Sequence, residues 1–116
     1  MTQRPAIPRE QPRQRSDCPI ACSLDVIGDR WTLLIVRDLF KGKRKFSEFL
    51  VADEGIKTNI LTDRLKRLER AGLVDRAPYQ RHPPRYEYHL TKTGRDLSPV
   101  LTAIFAWGRE YFRPLP

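Results

Sequence analysis

Apolar residues between positions 58 and 71 recur at intervals of three and four residues, the spacing of one face of an α-helix. The apolar side of this helix comprises Ile60, Leu61, Leu65, Leu68 and Ala71. The opposite side comprises Asn59, Thr62, Asp63, Lys66 and Arg70. Thr58 can act as the N-cap, and Gly72 can supply the left-handed residue that ends the helix. The pattern therefore predicts an amphipathic helix with both ends marked.

Two helices are predicted near the start of the chain. Pro19 suits the first turn of one of them, which continues to Gly28 with a narrow apolar stripe. Asp29 can cap the next helix, at residues 31 to 40, which is apolar nearly all round. Its polar strip comprises Arg37 and Asp38. The second helix is therefore expected in the centre of the core.

A short helix is predicted between this core helix and the amphipathic one. Ser47 can cap a helix over residues 48 to 52, and Phe46 can pack on Val51 as a hydrophobic staple. The bend at residues 54 and 55 then leads into the helix that begins near Thr58. The sequence therefore predicts a helix, a tight glycine-containing turn and a second helix.

The residues after Gly72 alternate in a way that predicts a β-hairpin. The expected strands are residues 73 to 79 and 85 to 90, joined by a loop at residues 80 to 84. Thr91 can cap a last helix, in which Pro99 either causes a kink or marks a later start. A helix-turn-helix followed by a basic hairpin is a winged helix. The predicted fold is therefore mainly α with a small β-hairpin.

The last helix is apolar over more than one face, through Leu97, Val100, Leu101, Ile104, Phe105, Trp107, Tyr111 and Phe112. In so small a domain, part of this surface is expected to be buried against a second subunit. The alternative is that the helix folds back on its own core.

Length and composition predict one domain at residues 18 to 116, preceded by a flexible basic arm at residues 1 to 17 that is rich in Pro, Gln and Arg. The formal net charge is +8, and residues 57 to 85 hold eight Lys and Arg against three Asp and Glu. Such clustering favours a polyanionic partner: DNA, RNA or an anionic membrane. Whether the arm contacts DNA is left open.

The sequence indicates the compartment as well. It lacks an apolar run long enough to span a bilayer and an apolar segment typical of a secretory signal, so a cytoplasmic protein without a membrane partner is expected.

The exposed side of the amphipathic helix carries short hydrogen-bonding groups near its start and cations further along. That composition suits a helix that contacts base edges and phosphates, although an ordinary solvated helix has a similar pattern. An enzyme is disfavoured, because His82 and His89 are the only histidines and no phosphate-binding glycine loop or nucleophile elbow occurs. No cofactor or metal is predicted.

Several motifs in order resemble the HxlR family of bacterial winged-helix transcription regulators. The matching stretches are CPIACSLDVIGDRW, KFSEF, GIKTNILTDRLKRLERAGLV, PPRYEYHLTKTG and FAWG, within residues 18 to 112. The resemblance implies a homodimer, joined through its first and last helices, that places two recognition helices on a palindromic operator of double-stranded DNA. The implied dimer interface comprises Ile20, Leu24, Val100, Ile104, Phe105, Trp107 and Tyr111. The sign of regulation and the identity of any small-molecule effector stay open.

The resemblance and the helix pattern together give candidate DNA contacts. Base-edge contacts are expected from Asn59, Thr62, Asp63 and Lys66. Asn59 can bind adenine with two hydrogen bonds and Lys66 can bind guanine, whereas Asp63 either accepts from cytosine or orients a neighbouring cation. Phosphate contacts are expected from Lys43, Arg44, Lys45, Lys57, Thr58, Arg64, Arg70, Arg81 and Arg85. Arg64 projects near the apolar stripe, so its stem must lie along that stripe.

Cys18 matches the Cys-Pro position of the family, where the cysteine of some members senses oxidants or electrophiles. A thiol at a helix N-terminus near arginines is a better nucleophile, although Asp17 opposes this effect. The alternative is a small residue at a dimer seam. Cys22, one turn further on, is interpreted as a buried filler or a resolving thiol. At the level of function, the rival hypothesis is a winged helix that binds RNA or another protein.

Overall fold

The computed structural model describes residues 16–112, which form six helices and one two-stranded antiparallel sheet. The helices are α1 (Pro19–Ile27), α2 (Thr32–Phe40), α3 (Phe46–Phe49), α4 (Thr58–Arg70), α5 (Lys92–Arg95) and α6 (Ser98–Tyr111). The strands are β1 (Val74–Arg81) and β2 (Pro84–Leu90). The predicted basic arm lies outside the described residues except for Ser16 and Asp17. The mainly helical architecture with a hairpin confirms the predicted winged helix.

Helix α2 lies in the centre of the core, as predicted. Its residues Ile35, Val36 and Leu39 are at most 2% exposed. Trp31 occupies the N-cap position of α2. The Asp29 carboxylate, two residues earlier, accepts hydrogen bonds from the backbone amides of Trp31 and Thr32 at 3.1 and 3.3 Å and so supplies the predicted cap. Asp38, however, was expected on a polar strip and is only 4% exposed. Arg37 and Lys43 compensate its burial with ion pairs.

Helix α3 is shorter than predicted and begins earlier. The carboxylate of Glu48 accepts hydrogen bonds from the backbone amides of Arg44 and Lys45, both at 2.8 Å. The predicted cap at Ser47 is wrong, because Lys45 occupies the N-cap position and Ser47 lies inside the helix. A charged acceptor for two amides binds more strongly than the Ser47 hydroxyl would. The predicted staple is also wrong, because Val51 is 77% exposed.

Helix α4 buries its apolar stripe through Leu61, Leu65 and Leu68. Thr58 is its first helical residue, and Lys57 occupies the N-cap position that was predicted for Thr58. Gly72 ends the helix with a φ angle of +78°, which confirms its predicted role. The backbone amide of Leu73 donates to the Leu68 carbonyl at 3.0 Å and completes the turn out of the helix.

Strands β1 and β2 pair from Val74 opposite Leu90 to Arg81 opposite Pro84, with one irregularity between Pro78 and Gln80. Only residues 82 and 83 connect the strands, so the predicted five-residue loop is too long. The segment before α3 also joins the hairpin, because the Tyr88 amide donates to the Arg44 carbonyl at 2.8 Å. This contact ties the wing to the helical body.

Thr91 connects the hairpin to α5 and to the end of α4. Its hydroxyl accepts from the Gly94 amide at 3.2 Å and donates to the Gly72 carbonyl at 2.6 Å. Pro99 lies in the first turn of α6, where no helical hydrogen bond is lost. The later start was therefore the correct one of the two predicted alternatives. In residues 16–112, no helix combines the length and the apolar character needed to cross a membrane.

Candidate nucleic-acid interface

The outward face of α4 collects most of the residues predicted to contact bases. Asn59, Asp63 and Lys66 are exposed, whereas Thr62 is half-buried. The Thr62 hydroxyl donates to the Thr58 carbonyl one turn earlier, at 2.9 Å. Its oxygen can still accept a hydrogen bond from a base. The helix thus presents donors and acceptors along one side while its other side fills the core.

Asp63 has cationic neighbours on this face. Arg64 Nη1 donates to its Oδ2 atom, and Arg67 Nη1 lies 3.9 Å from the same oxygen. About half of the Asp63 side chain remains exposed. Of the two roles predicted for Asp63, these contacts favour the orientation of neighbouring cations.

The side chain of Arg64 points toward the junction between α1 and α2. Its Nε atom donates to Asp29 Oδ2 at 2.7 Å, and only 17% of the side chain is exposed. Burial by itself would raise the pKa of Asp29, but hydrogen bonds from Thr32, Arg64 and the Trp31 amide lower it to about 2. The hydrogen bond to Asp29 in turn raises the pKa of Arg64. Both groups are therefore charged at physiological pH.

The cations at residues 43 to 45 also make contacts within the chain. Arg44 Nη1 donates to the carbonyls of Leu39 and Lys43, both at 2.8 Å. Lys43 Nζ lies 3.5 Å from Asp38 Oδ2, and Lys45 Nζ lies 4.6 Å from the centroid of the Tyr79 ring. These contacts stabilise the junction between α2 and the hairpin, a role that the sequence pattern did not predict.

The tip of the hairpin carries Arg81 and Arg85, and both side chains are exposed. Nearer to α4, Arg76 Nε lies 3.3 Å from Glu69 Oε2, and its guanidinium lies 4.1 Å from the centroid of the Tyr86 ring. Lys57 and Thr58 are exposed at the start of α4, and Arg70 is exposed at its end. The five predicted phosphate-contacting residues that are exposed thus lie at both ends of α4 and at the tip of the wing.

The two terminal helices form an apolar surface in the single chain. All seven predicted interface residues are exposed, from 36% for Val100 to 72% for Ile20. Phe112 was not among them, yet it is 66% exposed and its ring lies 5.7 Å from that of Trp107. Neither α1 nor α6 has a fully buried residue within the described chain. We call the exposed apolar side chains of α1 and α6 the terminal surface.

The two cysteines lie at the start of α1 and are not joined by a disulfide. Cys18 is exposed at the N-cap position, and its backbone amide donates to the Ser16 hydroxyl at 3.0 Å. Cys22 is half-buried, with its thiol 3.2 Å from the Ser16 carbonyl oxygen, to which it donates. Cys18 is thus the more accessible of the two thiols.

A buried helical core, an exposed polar helix and a following hairpin define a class of helix-turn-helix DNA-binding proteins. The chain is a DNA-binding transcriptional regulator of this type. It belongs to the family described as HxlR-like helix-turn-helix, whose sequence model matches residues 26–115. This match confirms the resemblance inferred from the motifs.

Individual relatives agree with this family. The uncharacterized HTH-type transcriptional regulator sll1512 of Synechocystis sp. is 42% identical over 94 residues, covering 81% of this chain and 70% of the relative. The uncharacterized HTH-type transcriptional regulator Mb3122 of Mycobacterium bovis is 45% identical over 89 residues. That match covers 77% of this chain and 56% of the relative, so the chain spans about half of the relative's length.

Among solved structures, the redox regulator HypR in its oxidized form has a similar fold. It superposes with a TM-score of 0.74 and 37% sequence identity, covering 84% of this chain and 100% of HypR. At this identity, the similarity extends from the fold to the amino-acid sequence.

Proposed function

We propose that the chain acts in the cytoplasm as a homodimer that binds a palindromic operator through two copies of α4. The observation that supports this proposal most directly is the division of α4 into a buried apolar stripe and an outward face, on which Asn59, Asp63 and Lys66 are exposed and Thr62 is half-buried. An α-helix with such a face fits the major groove, where base edges present a distinct pattern of donors and acceptors.

The dimer is supported by the terminal surface. Ile20, Phe105 and Trp107 are each at least 60% exposed in the single chain, an unfavourable arrangement in water. A second copy can cover this surface through a two-fold interface in which each patch contacts its equivalent. Two copies of α4 would then contact half-sites separated by about one helical turn of DNA, roughly 34 Å, or a multiple of it.

The proposed phosphate contacts come from α4, the wing and the segment before α3. They comprise Lys57, Thr58 and Arg70 on α4, Arg81 and Arg85 on the wing, and Lys43 and Lys45 beside the wing. Such contacts set affinity and its dependence on salt without selecting a sequence. Arg44 and Arg64 are omitted, because their guanidinium groups donate hydrogen bonds within the chain at 2.8 and 2.7 Å. Lys43 and Lys45 are kept, because their contacts within the chain are longer, at 3.5 and 4.6 Å.

A redox response through Cys18 is a finer part of the proposal. It is supported by the exposure of Cys18 and by the similarity of the chain to HypR, which is a redox regulator. With hydrogen peroxide as the two-electron oxidant, Cys18 and a second thiol give one disulfide and two molecules of water. The second thiol is Cys22 of the same chain or Cys18 of a second copy.

The decisive experiment is selection of duplexes from a random library with the reduced protein, followed by binding of the winner and a scrambled control across salt concentrations. Enrichment of an inverted repeat with half-sites one turn or a multiple apart is expected. Equal binding of every duplex with steep salt dependence would contradict the proposal. It would favour the rival function of a winged helix that binds RNA or another protein.

A further inference from the structure

Asp29 binds two helices that are distant in the sequence, α2 and α4. Its Oδ2 atom accepts from the backbone amides of Trp31 and Thr32, which begin α2. The same atom accepts from Arg64 Nε of α4 at 2.7 Å, while Oδ1 accepts from the Thr32 hydroxyl. One carboxylate therefore caps the core helix and fixes a residue of α4.

Arg64 extends this contact to the exposed face of α4. Its Nη1 atom donates to Asp63, which lies beside Thr62 on that face. A guanidinium is planar and presents its donors in a fixed fork, so two carboxylates bound to it are held in a fixed relation. The path from Asp29 through Arg64 thus ends on a side chain that faces outward.

We infer that Asp29 and Arg64 are positioning residues that set the rotation of α4 and the orientation of Asp63, and that Arg64 does not serve as a phosphate contact. The inference rests on the proposed function of α4 as the recognition helix. Base contacts require side chains to be placed precisely, whereas phosphate contacts tolerate more displacement. The Asp29–Arg64 pair therefore governs discrimination between sequences more than total affinity.

The alternative role makes the opposite prediction for Asp29. If Arg64 bound a phosphate, Asp29 would compete with that phosphate for the guanidinium, and its negative charge would repel DNA. Removal of the charge would then strengthen binding to every duplex. If the pair positions α4, removal of the charge weakens binding to the operator relative to random DNA.

The test compares Asp29→Asn, Arg64→Gln and the double variant with the unaltered protein. The Asp29→Asn substitution keeps a carbonyl oxygen that can cap α2, but the new amide group cannot form the ion pair with Arg64. Asp53→Asn is the matched control, because it removes one negative charge from an exposed residue in the turn before α4. Binding to the selected operator and to a scrambled duplex is measured across salt concentrations, below the melting temperature of every variant.

Each single variant is expected to lower the ratio of operator to scrambled affinity by about tenfold, the scale of one good base contact. The double variant is expected to lower this affinity ratio no further than the single variants do, because both substitutions interrupt the same contact between Asp29 and Arg64. The salt slope should stay unchanged, and Asp53→Asn should leave the ratio unchanged. A result with Asp29→Asn binding both duplexes more tightly, and Arg64→Gln lowering the salt slope by about 0.9, would overturn the inference.

A measurement without DNA separates this inference from the proposed function. Hydrogen–deuterium exchange of the free protein should show faster exchange in α4 for Asp29→Asn and Arg64→Gln, with α2 still protected in Asp29→Asn. Unchanged exchange in α4 would overturn the positioning role even if the operator is bound. If the unaltered protein prefers no duplex but the two variants still show faster exchange in α4, the proposed function is contradicted and the positioning role is not.

Discussion

Arg37 and Glu54 face each other in two parallel hydrogen bonds, from Nη1 to Oε2 at 3.0 Å and from Nη2 to Oε1 at 2.9 Å. Arg37 lies on α2, and Glu54 lies in the turn that precedes α4. Arg37 also pairs with the buried Asp38. The hydrogen bond from Arg37 is the main reason that the pKa of Glu54 falls to about 2. The fork thus fixes the turn between α3 and α4 against the core helix.

The first prediction concerns the stability that this fork provides. Glu54→Gln should lower the free energy of unfolding at neutral pH by about 1 kcal/mol, because a bidentate pair is stronger than most surface pairs but Glu54 is partly screened by solvent. Asp53→Asn, which alters the adjacent exposed carboxylate, should change the free energy of unfolding by only a few tenths of a kcal/mol. Urea denaturation gives both values, and equal effects of the two substitutions would show that the fork is not stabilising.

The same pair gives this prediction its pH dependence. Glu54 has a lower pKa in the folded state than its ordinary value of 4.5, so its contribution is complete above that value and is lost as the pH falls toward 2. The difference in stability between the unaltered protein and Glu54→Gln should therefore be constant near neutral pH and shrink in acid. A difference that grows in acid would contradict this assignment.

The sequence predicted best where one local signal acted alone. The stripe of α4, the cap at Asp29 and the left-handed Gly72 all follow from residues within a turn or two. Prediction failed at α3, where the Ser47 hydroxyl was expected to cap the helix. The Glu48 carboxylate, a stronger charged acceptor, accepts from the Arg44 and Lys45 amides instead.

Long-range contacts of the candidate site were beyond prediction from local patterns. Asp29 and Arg64 are 35 positions apart, and nothing in the periodicity of either segment pairs them. For the same reason Arg44 was expected to contact phosphate because of its charge, whereas its guanidinium donates to the carbonyls of Leu39, in α2, and of Lys43, just after α2. Composition locates cations along the chain, but the fold decides which of them point outward.

The second prediction concerns the contact between α5 and the start of the hairpin. A Cβ atom on Gly94 would lie 2.2 Å from the Leu73 carbonyl oxygen and 2.9 Å from Leu90 Cδ2. Gly94→Ala should therefore lower the free energy of unfolding by about 3 kcal/mol, the cost of forcing a methyl group into packed backbone. Gly42→Ala should cost only about 1 kcal/mol through its left-handed φ angle, since no atom beyond its chain neighbours lies within 4 Å of its Cβ position. Equal losses in urea denaturation would refute the steric account.

The third prediction separates base contacts from phosphate contacts. Lys66→Ala should lower operator affinity by about tenfold and scrambled-duplex affinity much less, because Lys66 lies on the proposed base-contacting face. Arg81→Ala on the wing should weaken both duplexes alike and reduce the salt slope by about 0.9. Fluorescence anisotropy across salt concentrations measures both effects. Equal loss on both duplexes for Lys66→Ala would remove Lys66 from the base contacts.

The fourth prediction concerns the terminal surface as a dimer interface. Phe105→Lys should weaken dimerisation by at least about a hundredfold, because it replaces roughly 2–3 kcal/mol of apolar burial with a charge. Phe40→Lys is the matched control, since Phe40 is also exposed but lies on α2. Sedimentation velocity over a range of concentrations measures the dimer. A monomeric unaltered protein, or equal weakening by both substitutions, would contradict the assignment of this surface.

The last prediction concerns Cys18 as the redox-responsive residue. Treatment with hydrogen peroxide should change operator affinity in the unaltered protein, and Cys18→Ser should abolish the change, because Cys18 is exposed and Cys22 is half-buried. Cys22→Ser decides which thiol completes the disulfide: a retained response with a covalent dimer on a non-reducing gel identifies Cys18 of a second copy. If Cys22→Ser loses the response and the oxidised unaltered protein forms no covalent dimer, Cys22 of the same chain is the second thiol. An affinity change in Cys18→Ser equal to that of the unaltered protein would show that oxidation acts elsewhere.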